Sequence, residues 1–191
     1  MITGCIPGQA IYGIITYHHY GDIFMQVRKA AVDDAADISR IYAQSWKTAY
    51  KGVVPQAFLD DLKEDNWVPM FRRSLEDGSI CALMICDGEE AVGCAAFGRS
   101  RDEKLPDWGE IVSIYLLPDY FGRGYGEALL KGAVDVLKQQ GYRHIYLWVL
   151  RENDRARRFY EKHGFVCTGD ECTIDIMGQP LVDLRYGLSI F

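Results

Sequence analysis

Lysine and arginine are missing from the first 24 residues of this 191-residue chain, and no apolar run approaches the length of a membrane span. A secretory signal needs a basic start, an apolar stretch longer than residues 10–17 and a small-residue cleavage site, and a spanning helix needs about twenty apolar residues. Neither pattern is present, so no membrane partner is expected. Residues 1–24 read either as a dispensable leader ahead of a single domain covering 25–191, or as an added edge strand near residues 11–17. The chain also lacks any C-x-x-C pair: Cys5, Cys81, Cys86, Cys94, Cys167 and Cys172 are scattered, His18 and His19 diverge on an extended chain, and His144 and His163 stand alone. That excludes the usual metal spacings and leaves the expectation of no metal, with free, mostly buried thiols in a reduced, cytoplasmic protein. An excess of positive charge is absent too. A net charge of −6 argues against a nucleic-acid partner. Repeats, linkers and low-complexity tracts are missing, and 49% hydrophobic residues suffice for one substantial core.

What is present is a glycine loop in a defined setting. Pro118-Asp119-Tyr120-Phe121-Gly122-Arg123-Gly124-Tyr125-Gly126 follows an apolar stretch at 111–117 that reads as a strand, and leads into 127–140, where apolar residues recur at helical spacing. Glycines at alternate positions let the backbone approach a ligand, and the helix start adds free N–H donors and the positive end of a dipole. Strand, glycine turn and helix N-terminus in that order suit a phosphate or pyrophosphate. Two nucleotide readings fit poorly. A Walker loop needs Gly-Lys-Ser/Thr where this chain has Gly126-Glu127-Ala128, and a dinucleotide fingerprint needs G-x-G-x-x-G where this chain has G-x-G-x-G.

A second block begins at Asn153, a good N-cap, and ends at Gly164, a good C′ residue, bounding a helix of about three turns. Asn153, Ala156 and Tyr160 fall at i, i+3 and i+7, on one face of it. Elsewhere the pattern predicts a strand at 26–31 and a helix from Asp33 or Asp34 to about Tyr50, with Ile38, Ile41, Tyr42 and Trp46 on its apolar face. A short helix opens at Pro55 and another spans 66–75. A hairpin, 79–86 with 91–98, turns at Asp87-Gly88-Glu89-Glu90, and 102–108 is a polar loop. A strand at 144–150 precedes the second block, and short antiparallel strands at 165–168, 173–177 and 181–188 complete the chain.

The two blocks together resemble the GNAT superfamily of acyl-CoA-dependent N-acyltransferases. Its signature loop runs Arg or Gln, two residues, Gly, one residue, then Gly or Ala. Gly124 and Gly126 fill the glycine positions, and Phe121 stands where Arg or Gln is usual. Residues 153–165 match the family's N-x-x-A-x-x-F-Y-x-x-x-G-F element. The resemblance covers roughly 26–186 and implies a mixed, largely antiparallel central α/β sheet with helices on both faces. It also implies acetyl-CoA as acyl donor, held by the loop backbone of Phe121, Gly122, Arg123, Gly124, Tyr125 and Gly126, by strand groups at Ile114 and Leu116, and by the helix face of Asn153 and Tyr160.

In the family a backbone donor at a strand bulge stabilises the tetrahedral oxyanion, which here means Leu116, and the helix tyrosine, here Tyr160, protonates the departing thiolate. Amines are mostly protonated at neutral pH, so a base is needed. By alternation Glu110 shares a face with Val112, Ile114 and Leu116 and is either that base, acting through water, or a solvated strand end. Trp46, Tyr50 and Val54 either wall an acceptor pocket or pack the core, and Asp60, Asp61 and Asp107 are candidates to attract a cationic amine. Arg151, Arg155, Arg157 and Arg158 form a solvated face or meet the cofactor's outer phosphates. Two functions stay open: transfer of an acetyl group to an amine of a small molecule or peptide, and a non-catalytic acyl-CoA sensor. A homodimer is the usual soluble oligomer.

Overall fold

A computed structural model describes residues 16–20 and 23–190, with side chains from Met25 onward. Eight strands form one sheet in the order β1-β2-β3-β4-β5-β6-β8-β7. Strands β1 (Thr16–Tyr20), β2 (Ile23–Lys29), β3 (Cys81–Asp87), β4 (Glu90–Arg99) and β5 (Gly109–Leu116) pair antiparallel in sequence order. β6 (His144–Leu150) joins β5 in parallel, and β8 (Gln179–Ser189) and β7 (Val166–Ile176) continue antiparallel. Among the described residues β1 is thus an edge strand. The remainder of the suggested leader, residues 1–15 with 21 and 22, lies outside the described residues.

The helices cover both faces. α4 (Tyr125–Gln139) buries Leu129, Leu130, Ala133, Val136 and Leu137 against Val27, Leu83, Ile85, Ala95 and Ile111 on one face. Each fully buried Leu or Ile stabilises the fold by roughly 1.5–3 kcal/mol before conformational entropy is counted. On the opposite face α1 (Ala35–Ala49) and α3 (Val68–Glu76) pack Ile38, Ile41, Tyr42 and Phe71 on Met84, Cys94 and Ala96. Ahead of α1, Asp34 receives the Ala31 amide at 2.7 Å and both ends of the Arg28 guanidinium at 2.7 Å. Arg28 therefore holds its carboxyl below the usual range. α2 (Gln56–Asp61) seats Leu59 beside Val54, Leu62, Leu150 and Leu181.

The C-terminal strands differ from the expectation. Residues 166–176 form one long strand rather than two short ones, because Thr168-Gly169-Asp170 makes a bulge and not a turn: the β7–β8 register jumps between Cys167 and Glu171, with Gly169 at φ +85°. β7 is a sheet edge, and Cys167 and Cys172 on it are exposed, whereas Cys81, Cys86 and Cys94 are buried.

Candidate active site

β5 and β6 pair only over 109–111 and 145–147. Beyond those three residues the strands separate, and a cavity of about 860 Å³ opens between them, lined by Val112 to Leu116 on one side and Trp148 to Leu150 on the other. It reaches through the sheet from the α4 face to the α1 face.

On the α4 face the lining comes from the glycine loop. Gly122 and Gly124 have φ of +73° and +88°, the left-handed region that side chains disfavour, and Gly124 caps α4. Gly126 lets the turn lie against Phe159, whose ring carbons stand 3.7 Å from where a Cβ would be. α5 (Asp154–Lys162) faces this loop. Its N-cap Asn153 accepts the Ala156 amide at 3.1 Å. At its C-terminus the Phe165 amide bonds the Tyr160 carbonyl at 3.1 Å, the long closure that a left-handed Gly164 permits. Asn153, Ala156 and Tyr160 all line the cavity.

Phe121, where the family has Arg or Gln, carries the Arg155 guanidinium 3.7 Å from its ring centre. Burial lowers the Arg155 pKa, and the side chain lines the cavity. Of the other arginines of that cluster, Arg151 pairs with Glu171, Arg157 pairs with Asp154 and Tyr186, and Arg158 is outside the lining. Arg123 stacks over Tyr120 and Tyr125. The Tyr125 side chain itself is wholly buried and is no part of the cavity, because the first turn of α4 directs it into the core.

On the α1 face Trp46 and Tyr50 line the cavity with ring centres 4.8 Å apart, while Val54 is core. Two α1 hydroxyls and that of its C-cap residue tie the helix to β5: Tyr42 to the Ser113 hydroxyl, Ser45 to the Leu116 carbonyl at 3.1 Å, and Tyr50 to the Tyr115 hydroxyl at 3.3 Å. Burial raises the Tyr50, Tyr115 and Tyr160 hydroxyls above their ordinary value. Ile174, Ile176, Cys172 and Asp183 close the far wall. Asp60, Asp61 and Asp107 stand outside the lining, on α2 and in the loop before β5.

Two strand expectations are corrected by one irregularity. The β4–β5 register shifts so that Ser113 faces Ala96 and Ile111 faces Phe97, leaving Val112 as the extra residue. The bulge is therefore at Val112 and not at Leu116, which pairs regularly with Gly93. It also reverses the alternation, so that Glu110 lies on the α1 face, opposite Ile114 and Leu116. There Glu110 is 2% exposed and held by Arg101, through its guanidinium at 2.6 and 3.0 Å and its amide at 3.0 Å. Arg101 lines the cavity; Glu110 does not. The proposed base is a buried ion-pair partner.

The family model for the acetyltransferase (GNAT) family matches residues 37–165. The chain belongs to the GNAT acetyltransferase family. This acetyltransferase is 31% identical over 133 residues to the uncharacterized N-acetyltransferase YuaI of Bacillus subtilis, covering 66% of this chain and 72% of that one. It is 33% identical over 141 residues to an uncharacterized N-acetyltransferase of Archaeoglobus fulgidus, covering 71% and 89%. Among solved structures, YncA from Salmonella typhimurium, determined with its cofactor acetyl-CoA, superposes with a TM-score of 0.68 at 21% identity, over 87% of this chain and 94% of that one. Among the described residues no helix is long and apolar enough to cross a membrane, and no group of three or more His, Cys, Asp or Glu side chains is placed to hold a metal ion.

Proposed function

We propose that this GNAT chain moves an acetyl group from acetyl-CoA to a primary amine by direct attack through a tetrahedral intermediate. The observation that carries the reading is the through-sheet cavity, with a phosphate-suited loop at one mouth and an aromatic wall at the other. The glycine loop and the start of α4 offer backbone N–H groups and a helix dipole to the pyrophosphate, and Arg123, Arg155 and Lys162 surround that mouth with positive charge. The separated edge of β5 near Ile114 presents backbone groups to the pantetheine amides, in the manner of an added strand.

The chemistry then divides among named groups. The amine nitrogen attacks the thioester carbon, and a C–N bond forms as the oxyanion develops beside the backbone of β5 near Leu116. As the C–S bond breaks, Tyr160 gives its proton to sulfur and is reprotonated from solvent. Burial keeps that hydroxyl protonated at neutral pH, the form an acid needs.

The test is incubation with acetyl-CoA and a pooled panel of amines, with products followed by mass spectrometry, since the exposed Cys167 and Cys172 would react with a thiol dye. An acetylated amine that is lost with Tyr160→Phe supports the reading. Tight acetyl-CoA binding with no product from any amine or peptide replaces it with the sensor.

A further inference from the structure

With Glu110 held by Arg101, the proton of the acceptor amine has no destination among the residues assigned so far. Two carboxylates line the cavity among the described residues, Glu127 and Asp183. Glu127 sits at the glycine-loop mouth, 3.6 Å from His163 Nε2 and 4.0 Å from Lys162 Nζ. Asp183 is on the acceptor side, on β8, fixed in register between Leu150 of β6 and Cys172 of β7.

Glu171, beside the β7 ladder partner of Asp183, is engaged by Arg151, and Glu152 adds a second negative charge nearby. The Asp183 side chain enters no ion pair or hydrogen bond with a described residue. Around it stand the rings of Trp46, Tyr50 and Trp148 and the side chains of Ile174 and Ile176. Trp148 is backed by the Arg185 guanidinium 4.6 Å from its ring centre. Other charged side chains of the lining are mostly basic, including Arg101, Arg123, Arg155 and Lys162. A half-cavity with apolar walls, one free carboxylate and a basic surround suits one positive charge on an apolar body. It does not suit a polycation.

We propose that Asp183 is the acceptor carboxylate of this site, holding the ammonium of a monocationic alkyl or arylalkyl amine and taking its proton so that the nitrogen can attack. The proposal rests on the acetyl-transfer reading. Asp183 removes one proton from the ammonium and releases it to solvent through the open mouth. After the C–N bond forms, nitrogen loses its second proton to solvent, the C–S bond breaks and sulfur takes the Tyr160 proton. The net change is amide, free thiol and one proton released. Burial, reinforced by Glu152, pushes the Asp183 carboxyl up to about 6, close to the working pH of a general base. The groups facing it are Tyr50 at the end of α1, Glu152 after β6 and Cys172 from β7, and Arg155 and Tyr160 from α5 line the same cavity.

The test compares the intact chain with Asp183→Asn and Asp183→Glu. Acetyl-CoA binding is followed by calorimetry, and transfer to phenethylamine, phenylalanine and spermidine by mass spectrometry across pH 5–9. All three proteins are expected to bind acetyl-CoA equally, with phenethylamine the preferred acceptor. Asp183→Asn is expected to lower kcat/KM by about 100-fold and to remove the limb near pH 6, with partial rescue by Asp183→Glu. Unchanged kcat/KM and pH profile in Asp183→Asn would overturn the proposal, as would preference for spermidine, or acetyl-CoA binding with none of the amines acetylated. If the wild-type chain fails to bind acetyl-CoA, the acetyl-transfer reading itself falls, and this proposal with it.

Discussion

On the α4–α5 side of the cavity the lining comes from two contiguous stretches, 121–127 and 153–163, whereas the α1 side assembles single residues from α1, β5, β6, β7 and β8. The first side is built around backbone: positive-φ glycines, a helix start and a capped α5. Such a site reads the shape of a phosphate and is indifferent to most side chains nearby, which is how Phe121 is accommodated. The second side is built of side chains, with aromatic walls and a single unpaired carboxylate. On the proposed reading, the donor half is a fixed device and the acceptor half is where specificity is set.

Changes at four positions break or sharpen that contrast. The largest effect is expected from Tyr160→Phe, which should lower kcat by about 100-fold while leaving the acetyl-CoA Kd within about twofold, measured by steady-state kinetics and calorimetry. Next is Glu110→Ala, which strips Arg101 of its buried partner and should destabilise the fold by about 1–3 kcal/mol in urea denaturation. Glu110→Gln should retain transfer at moderate temperature, and loss of the acid limb of its pH profile would return the base role to Glu110.

Gly124→Ala forces a side chain onto a φ of +88° at the α4 cap and should cost about 1–2 kcal/mol, seen as roughly tenfold weaker acetyl-CoA binding. The smallest effect on folding stability belongs to Asp183→Asn. The carboxyl ionises near 3.9 when unfolded and at about 6 when folded, so ionisation opposes folding progressively between pH 4 and 6 and fully above. The group is partly exposed and screened, so Asp183→Asn should raise stability at pH 7 by about 1 kcal/mol and leave it unchanged below pH 4. A loss of stability at pH 7 would show that the carboxylate has a partner in the fold.

The donor half was legible because its determinants are local. A glycine spacing, an N-cap and a C′ glycine each declare their backbone geometry within a few residues, and the helices and the hairpin followed from periodicity in the same way. What escaped the sequence was register. Alternation from Glu110 fails because one extra residue, Val112, turns both ends of β5 to different faces, and nothing in its side chain announces a bulge. Gly169 looks like a turn and is a bulge. Asp183 lies in a plain run, Leu181-Val182-Asp183-Leu184, and becomes conspicuous only when β8 lies beside β6 and its side chain is seen in the cavity lining.

The short β5–β6 ladder has a mechanical consequence. Two blocks of sheet, β1–β5 and β6–β8–β7, are joined along their shared seam by three residue pairs, with open rungs beyond. An extended ligand lying in that gap would act as a splint, tying the blocks where the chain does not tie them itself. Stiffness of the whole sheet then varies with cofactor load. Amide exchange at 112–116 and 148–150 should slow on saturation with CoA, while that of β2 and β3 stays the same.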